Sequence, residues 1–550
     1  MSPDERWWQE AVVYEVYPRS FADTDGDGIG DLAGVRSRLP YLADLGVDAI
    51  WLTPFYPSPL ADGGYDVSDY RDVDPRLGTL AGFDALVAEA AAHGIRVIVD
   101  IVPNHCSADH PLFRQALAAG PGRAERDMFL FRDGRAGGEL PPNNWPSVFG
   151  GPAWTRVTEP DGRPGQWYLH LFDEGQPDWN WRNPAVKRYF EDIIRFWLDR
   201  SAAGLRIDVA HGIFKDPDLA DLAAPTADHA PSGYFHRSEL HELYRSWRSI
   251  LDTYPATGFP GPRTAVGEVW YDSPATLTPY LAADGLPQVF NFQLILARWD
   301  AGDLRAAVDA MQGLAGGSRA PWVIGNHDVP RPASRYAAGV AGGPHVSVAL
   351  PRAGTPPQRA GAQRARAAAL LLLALPGSAY IYQGEELGLP EVVELPAGAR
   401  ADPTFRRSGG TVPGRDGCRI PLPWSDGPAS FGFSPAGAAA PWLPQPEYWG
   451  GYSVAGQRED PGSFLNLYRA ALRLRRSHPA LGSGDPGAPG MTWLETAPAM
   501  LCFTREPGFL FAANLGTAPA QLPPHRELLL ASGPVSDGKL PADTAVWLAL

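Results

Sequence analysis

Cysteine is scarce: the 550 residues contain three, Cys106, Cys418 and Cys502. Thiols this few and this far apart build no disulfide framework and lack the spacing of a zinc site, so buried thiols in a reducing compartment are expected. Long apolar runs are missing too. The most continuous one, 367–376, is too short to span a bilayer. The opening Met1-Ser2-Pro3-Asp4-Glu5-Arg6-Trp7-Trp8 carries early acids and no signal-length apolar core, so a cytoplasmic protein without membrane attachment is expected. Positive charge is in deficit: the formal net charge of -15 disfavours a nucleic-acid partner. The chain also lacks a Gly-rich phosphate loop, a low-complexity linker and any repeat beyond alternating strands and helices.

Hydrophobic residues are 44% and charged residues 20% of the chain, the balance of a folded globular protein. Aromatics are abundant, with 18 Trp, 19 Tyr and 22 Phe. Many must be core. Others lie in loop-like stretches such as Asn143-Asn144-Trp145-Pro146 and Pro177-Asp178-Trp179-Asn180-Trp181, where aromatic faces suit the flat apolar faces of sugars.

Apolar runs at 12–17, 49–53, 95–102, 205–209, 264–269, 289–293, 322–325 and 379–382 predict strands. Helical patterns fall between them, for instance at 83–93, 185–200, 304–314 and 363–375. Eight strand-helix units are the number that closes a (β/α)8 TIM barrel, an α/β fold. The alternation fails after the third strand, which predicts an inserted domain over 103–176 between barrel segments 1–102 and 177–480. Short apolar runs separated by Gly and Pro predict a C-terminal antiparallel β domain over 481–550.

Function in such a barrel sits at the C-terminal ends of the strands. Those ends carry Asp100, Asn104 and His105, then Arg206 and Asp208, then Glu268, then Asn326, His327, Asp328 and Arg331; Tyr65 and Asp66 follow strand two. Arg206 and Asp208, two apart on a strand, point to the same side, and a cation there favours an ionised Asp208. Glu268 lies in the apolar Val266-Gly267-Glu268-Val269-Trp270, a setting that suits a general acid. Converging carboxylates with aromatic walls point to glycosyl transfer.

These stretches resemble an α-glucosidase of the α-amylase superfamily, glycoside hydrolase family 13, in its oligoglucosidase-type branch. The match rests on Asp100-Ile101-Val102-Pro103-Asn104-His105, Gly204-Leu205-Arg206-Ile207-Asp208, Gly267-Glu268-Val269, Gly325-Asn326-His327-Asp328, Gln176-Pro177-Asp178-Trp179-Asn180, Tyr382-Gln383-Gly384-Glu385-Glu386 and Arg415-Asp416-Gly417-Cys418-Arg419. The resemblance implies Asp208 as nucleophile, Glu268 as general acid and base, and Asp328 as the carboxylate that binds sugar hydroxyls. It further implies that His105 and His327 hydrogen-bond the sugar, Arg206 holds Asp208 charged and Tyr65 stacks under the ring. Asp66 and Arg331 are expected to pair and close the pocket over a non-reducing glucose.

The loop Asp23-Thr24-Asp25-Gly26-Asp27-Gly28-Ile29-Gly30-Asp31 alternates oxygen ligands like an EF-hand, but Gly34 stands where the bidentate Glu belongs, so a full EF-hand is rejected. A related family loop binds calcium. The resemblance thus implies a structural Ca2+ held by Asp23, Asp25, Asp27, the Ile29 carbonyl and Asp31, with no organic cofactor. Trp179 replaces the family's usual Leu and is expected to reshape the site. Val209 after the nucleophile accompanies α-1,6 tolerance in relatives, whereas Asp208-Val209-Ala210-His211-Gly212 with Lys215-Asp216 is similar to enzymes acting on α-1,4 bonds. The expected reading is hydrolysis of short malto-oligosaccharides, with transglucosylation, by a monomer or homodimer. An oligo-1,6-glucosidase, a trehalose- or isomaltulose-forming isomerase and an inactive sugar-binding relative are the rivals. Asp208→Asn is expected to abolish turnover while the melting temperature stays unchanged; retained activity would overturn the assigned mechanism.

Overall fold

The computed structural model describes residues 3–223, 233–271, 273–314, 321–340, 350–427, 429–482 and 490–550. Strands β1 (Val12–Val16), β2 (Ala49–Leu52) and β3 (Arg96–Ile101) open the fold. An inserted stretch adds β4 (Phe131–Arg132), β5 (Trp154–Thr158) and β6 (Pro164–Leu169). Then come β7 (Gly204–Ile207), β8 (Thr264–Gly267), β9 (Gln288–Val289), β10 (Trp322–Val323) and β11 (Ala379–Tyr382). Leaving out the insertion, these strands pair in parallel in chain order, and β11 returns to β1. A parallel bridge from Asn291 to Trp322 joins the β9 and β10 sides and closes the barrel.

Strand alternation builds two layers. Val13, Trp51, Ile98, Val266, Phe290, Val323 and Tyr380 fill the barrel interior. Tyr14, Val16, Ile50, Leu52, Val97 and Val99 face outward into the larger core shared with the helices. The helix Pro184–Asp199 shows how one such element is specified. Asn183 accepts a bond from the Ala185 N–H, Pro184 fits the first turn, and Val186, Phe190, Ile193, Ile194, Trp197 and Leu198 form one buried stripe. Each such side chain contributes about 1.5–3 kcal/mol on burial.

In the insertion, β6 lies between β4 and β5 in an antiparallel sheet. Its cluster of Leu130, Trp145, Trp154, Leu169 and Leu171 also takes in Leu219 and Tyr234 from the loop after β7, so insertion and barrel loop pack as one wall. The chain ends in β12 (Met491–Trp493), β13 (Met500–Arg505), β14 (Phe509–Asn514), β15 (Ala520–Gln521), β16 (Glu527–Ala531), β17 (Lys539–Leu540) and β18 (Thr544–Ala549). Five of these form an antiparallel sheet in the order β12-β13-β14-β18-β16. Trp547 anchors it to the barrel by donating Nε1–H to the Leu370 carbonyl at 3.1 Å. The boundary expected at 481 adjoins residues 483–489, which lie outside the described residues, as do Met1 and Ser2 of the expected signal-free opening.

Seven of the eight barrel strands end one to four residues before their apolar runs do, and β9 and β10 are cut to two residues each. After Val289 the Asn291 carboxamide accepts from Gln293 N–H at 3.0 Å and starts a helical turn, Gln293–Leu296, where strand was expected. β10 stops at Val323, before Ile324 and Gly325. All three cysteines are buried free thiols. Among the described residues no helix is long and apolar enough to cross a membrane.

The helices Pro332–Ala338 and Pro356–Ala374 meet at Gly361, where an added Cβ would sit 2.1 Å from the Ala333 carbonyl oxygen. Gly361→Val is therefore expected to cost about 1–3 kcal/mol by overpacking, read as a lowered melting temperature; an unchanged melt would show that the helices can separate freely.

Candidate active site

Every barrel strand that was expected to deliver a polar residue delivers it to one end of the barrel. Asp208 and Glu268 follow directly on β7 and β8, and both line a cavity of ≈ 410 Å³. Asp62, Tyr65, His105 and Asp328 share that end, and Pro146, Val148, Phe149, Phe172, Tyr234, Phe235 and Trp270 form the apolar remainder.

Arg206 organises the floor. Its guanidinium is buried and lies 5.0 Å from the centroid of the Trp51 ring. Nη1 donates to Asp208 Oδ1 at 2.7 Å and to the two Asp100 oxygens at 3.1 and 3.0 Å, while Nη2 donates to Glu268 Oε2 at 2.6 Å. Asp100 also accepts from Trp51 Nε1 and Tyr65 OH, which ties Tyr65 to the same cation. Glu268 accepts further bonds from Val209 N–H at 3.0 Å and Trp270 Nε1 at 2.9 Å. Val209 adopts φ 43, a conformation strained for a β-branched residue, directly beside Asp208.

One cation serving three carboxylates leaves the floor short of positive charge. Burial pushes the Asp208 carboxyl well above its ordinary range; Glu268, Asp100 and Asp328 add repulsion, and Arg206 opposes the rise. Burial likewise lifts Asp100 to about 7 against the pull of Arg206. The expectation that Arg206 simply keeps Asp208 ionised is thus incomplete: Arg206 opposes, but does not cancel, the rise that burial imposes. Burial holds His105 down at about 3, and hence neutral, with Lys215 reinforcing the effect. Asn104 Nδ2 and Gln176 Nε2 each lie 3.0 Å from one of its ring nitrogens.

Asp328 belongs to a second network. Burial opposes its ionisation, but His327, Arg415 and Arg419 outweigh burial and hold the carboxyl well below the usual range. Arg415 Nη1 and Arg419 Nη2 donate to Asp328 Oδ1 at 3.0 and 2.9 Å. Arg415 also bonds Asp62 Oδ1 at 2.5 Å and Asp402 Oδ2 at 2.6 Å.

This geometry corrects the expected Asp66–Arg331 pair. Asp66 is buried, and its carboxylate accepts from Ser58 Oγ, Ala61 N–H and Asp62 N–H, holding the 58–62 turn. Arg331 donates to the Gln383 and Cys418 carbonyls. The pair beside the pocket is instead Asp62 with Arg415. Trp179, expected to reshape the site, stacks on Phe129 at 4.4 Å, fully buried under the insertion. Sequence reading also passed over Arg419, Phe149, Phe172 and Phe235. The Arg415-to-Arg419 motif was the available signal for the arginines; the three phenylalanines carry none, because their wall forms only when insertion and barrel loop meet.

In the first loop the carboxylates of Asp23, Asp25 and Asp27 offer oxygens within 4.8 Å of one another. Burial raises the Asp27 carboxyl, with Asp25, Asp23 and Asp31 adding repulsion that a cation would relieve. This all-oxygen set fits a hard divalent ion. Asp31 caps the helix Leu32–Ser37, accepting from Gly34 N–H at 2.6 Å, and the Ile29 N–H donates to Asp27.

Residues 15–484 match the α-amylase catalytic domain. The chain belongs to the α-amylase family. It is accordingly an enzyme of the glycoside hydrolase class. It is 37% identical over 538 residues to a probable α-glucosidase of Rhizobium meliloti (strain 1021), covering 92% of this chain and 88% of that one. Maltase 1 of Drosophila virilis is 37% identical over 493 residues, with 86% and 73% covered. The crystal structure of an α-glucosyl transfer enzyme superposes with a TM-score of 0.85 at 36% identity, covering 99% of each chain.

Asp402 is held at about 2, because Arg415 and Arg419 outweigh its burial. Its folded value lies below its usual 3.8, so its stabilisation is present above about pH 4 and is lost as pH falls toward 2. Arg415→Ala is expected to cost about 3–5 kcal/mol at neutral pH by leaving buried carboxylates uncompensated. It should also flatten the acid dependence of thermal melts between pH 4 and 2; an unaltered dependence would contradict the pairing.

Proposed function

We propose that the chain is a retaining, exo-acting α-glucosidase that releases terminal non-reducing glucose, mainly α-1,4-linked, from maltose and short malto-oligosaccharides. The observation that carries this reading is the Arg206 fork, which holds Asp208 and Glu268 on the two terminal nitrogens of one guanidinium. Two carboxylates so held suit direct attack by one of them better than a path with water placed between them.

In this reading Asp208 attacks the anomeric carbon while Glu268 protonates the departing glycosidic oxygen. The glucosyl ester on Asp208 is then hydrolysed as Glu268 takes a proton from water. His105, His327 and Asp328 bind the glucose hydroxyls, and Tyr65 stacks below the ring. The Asp62–Arg415–Asp328 chain of ion pairs supports exo action, since it places charged groups where a longer glucan would have to continue. A sugar hydroxyl in place of water gives transglucosylation. The relatives named α-glucosidase and maltase support the substrate class.

The division into segments 1–102, 103–176, 177–480 and 481–550 goes with the same proposal. So does a structural calcium held by Asp23, Asp25 and Asp27, with Asp31 and the Ile29 carbonyl completing the loop; bound there, it supplies rigidity and takes no part in the chemistry. A small oligosaccharide is the partner, and the site is proposed to operate in the cytoplasm.

Product analysis tests the reading. α-Glucose is expected as the first anomer observed by NMR, with maltose cleaved faster than isomaltose. β-Glucose would overturn retention, a large isomaltose preference would overturn the linkage, and a rearranged disaccharide as main product would make the enzyme an isomerase.

A further inference from the structure

His327 stands apart from its neighbours in how it is held. Its ring is fully buried and stacks on Tyr65 with centroids 5.3 Å apart and planes 8° apart, which fixes the plane. Trp51 meets it edge-on at 5.9 Å. Stacking leaves open which ring edge faces the sugar, because a flip within the plane exchanges Nδ1 for a C–H. The Glu15 carboxylate settles that choice. Glu15 is on β1, opposite Trp51 and Tyr382 in register, with its side chain inside the barrel, and its Oε1 makes a very short contact with His327 Nδ1. The other nitrogen, Nε2, has no hydrogen-bond partner and lies 3.4 Å from Oδ2 of Asp328, which lines the pocket.

We propose that Glu15 is a positioning residue: it anchors Nδ1 of His327 in the barrel floor and so presents Nε2 to the sugar beside Asp328. The proposal rests on the α-glucosidase reading, which places the glucose there. A flipped ring would turn a C–H toward a buried carboxylate and leave that carboxylate unpaired, so the observed orientation is enforced. The charged groups facing the pair are Arg206 from β7, Asp328 and Arg419 and Arg415 from the pocket wall, and Glu385 beyond β11.

Glu15→Ala, Glu15→Gln and wild type separate orientation of the ring from mere filling of space. Glu15→Ala is expected to lower kcat/KM for maltose by about 10–100-fold, by analogy with removal of an outer partner that orients a metal-ligating histidine. Glu15→Gln keeps an acceptor for Nδ1–H and is expected to recover most of that loss. Full activity in Glu15→Ala, or a Glu15→Gln enzyme as impaired as Glu15→Ala, would overturn the proposal. Should Glu15→Ala fail to fold, the near-isosteric Glu15→Met, which offers Nδ1–H no oxygen acceptor, takes its place. Calorimetric binding of the iminosugar 1-deoxynojirimycin reads the pocket without turnover. Wild type that binds it yet releases no glucose sinks the hydrolytic reading alone, whereas Glu15→Ala that binds it as tightly as wild type sinks the role of Glu15.

Discussion

The site depends on one buried guanidinium. Arg206 is the point where β3, β7 and β8 present carboxylates to the same small volume, and no water-filled gap separates it from Asp100, Asp208 or Glu268. Three carboxylates sharing one cation in a low-dielectric floor repel one another, and burial pushes the Asp208 and Asp100 carboxyls above their ordinary range. An arrangement that would be a liability in an ordinary core holds Asp208 and Glu268 on one fork at the pocket.

The surrounding fold keeps this charge deficit from dispersing. Barrel strands buried on both faces cannot shift without breaking parallel ladders on either side, so their C-terminal ends form a rigid rim. The insertion and the loop after β7 share one apolar cluster and close the open side with Phe149, Phe172 and Phe235. Arg415 and Arg419 pair with Asp328 from the other side and hold its carboxyl below the usual range. The pocket thus has a floor where burial raises a carboxyl and a wall where arginines lower one.

Much of this was legible in the chain. Apolar runs ending in polar residues marked the strands and the rim, because strand burial and the exposure of the strand end are local properties. The loop with Asp23, Asp25 and Asp27 was visible for the same reason. Misreadings arose where a side chain chose between distant partners. Asp66 and Asp62 sit four residues apart on one turn, and only the packing shows that Asp66 holds the turn while Asp62 turns to Arg415. Trp179 looked like a pocket residue because its motif borders the site, yet a Trp beside Phe129 gains more by burial than by facing a wet cavity.

The sequence by itself determined the eight strand-helix units and the order of the carboxylates Asp208, Glu268 and Asp328, since periodicity and strand ends are written over a few consecutive residues. Only the tertiary structure decided which charges meet. Asp62 and Arg415 are 353 residues apart, and Glu15 and His327 are 312 apart, so no local pattern can pair them. Those pairs exist because closing the barrel brings β1 beside β11 and carries the late arginine motif over the rim. Burial then makes each of them costly to leave unmade.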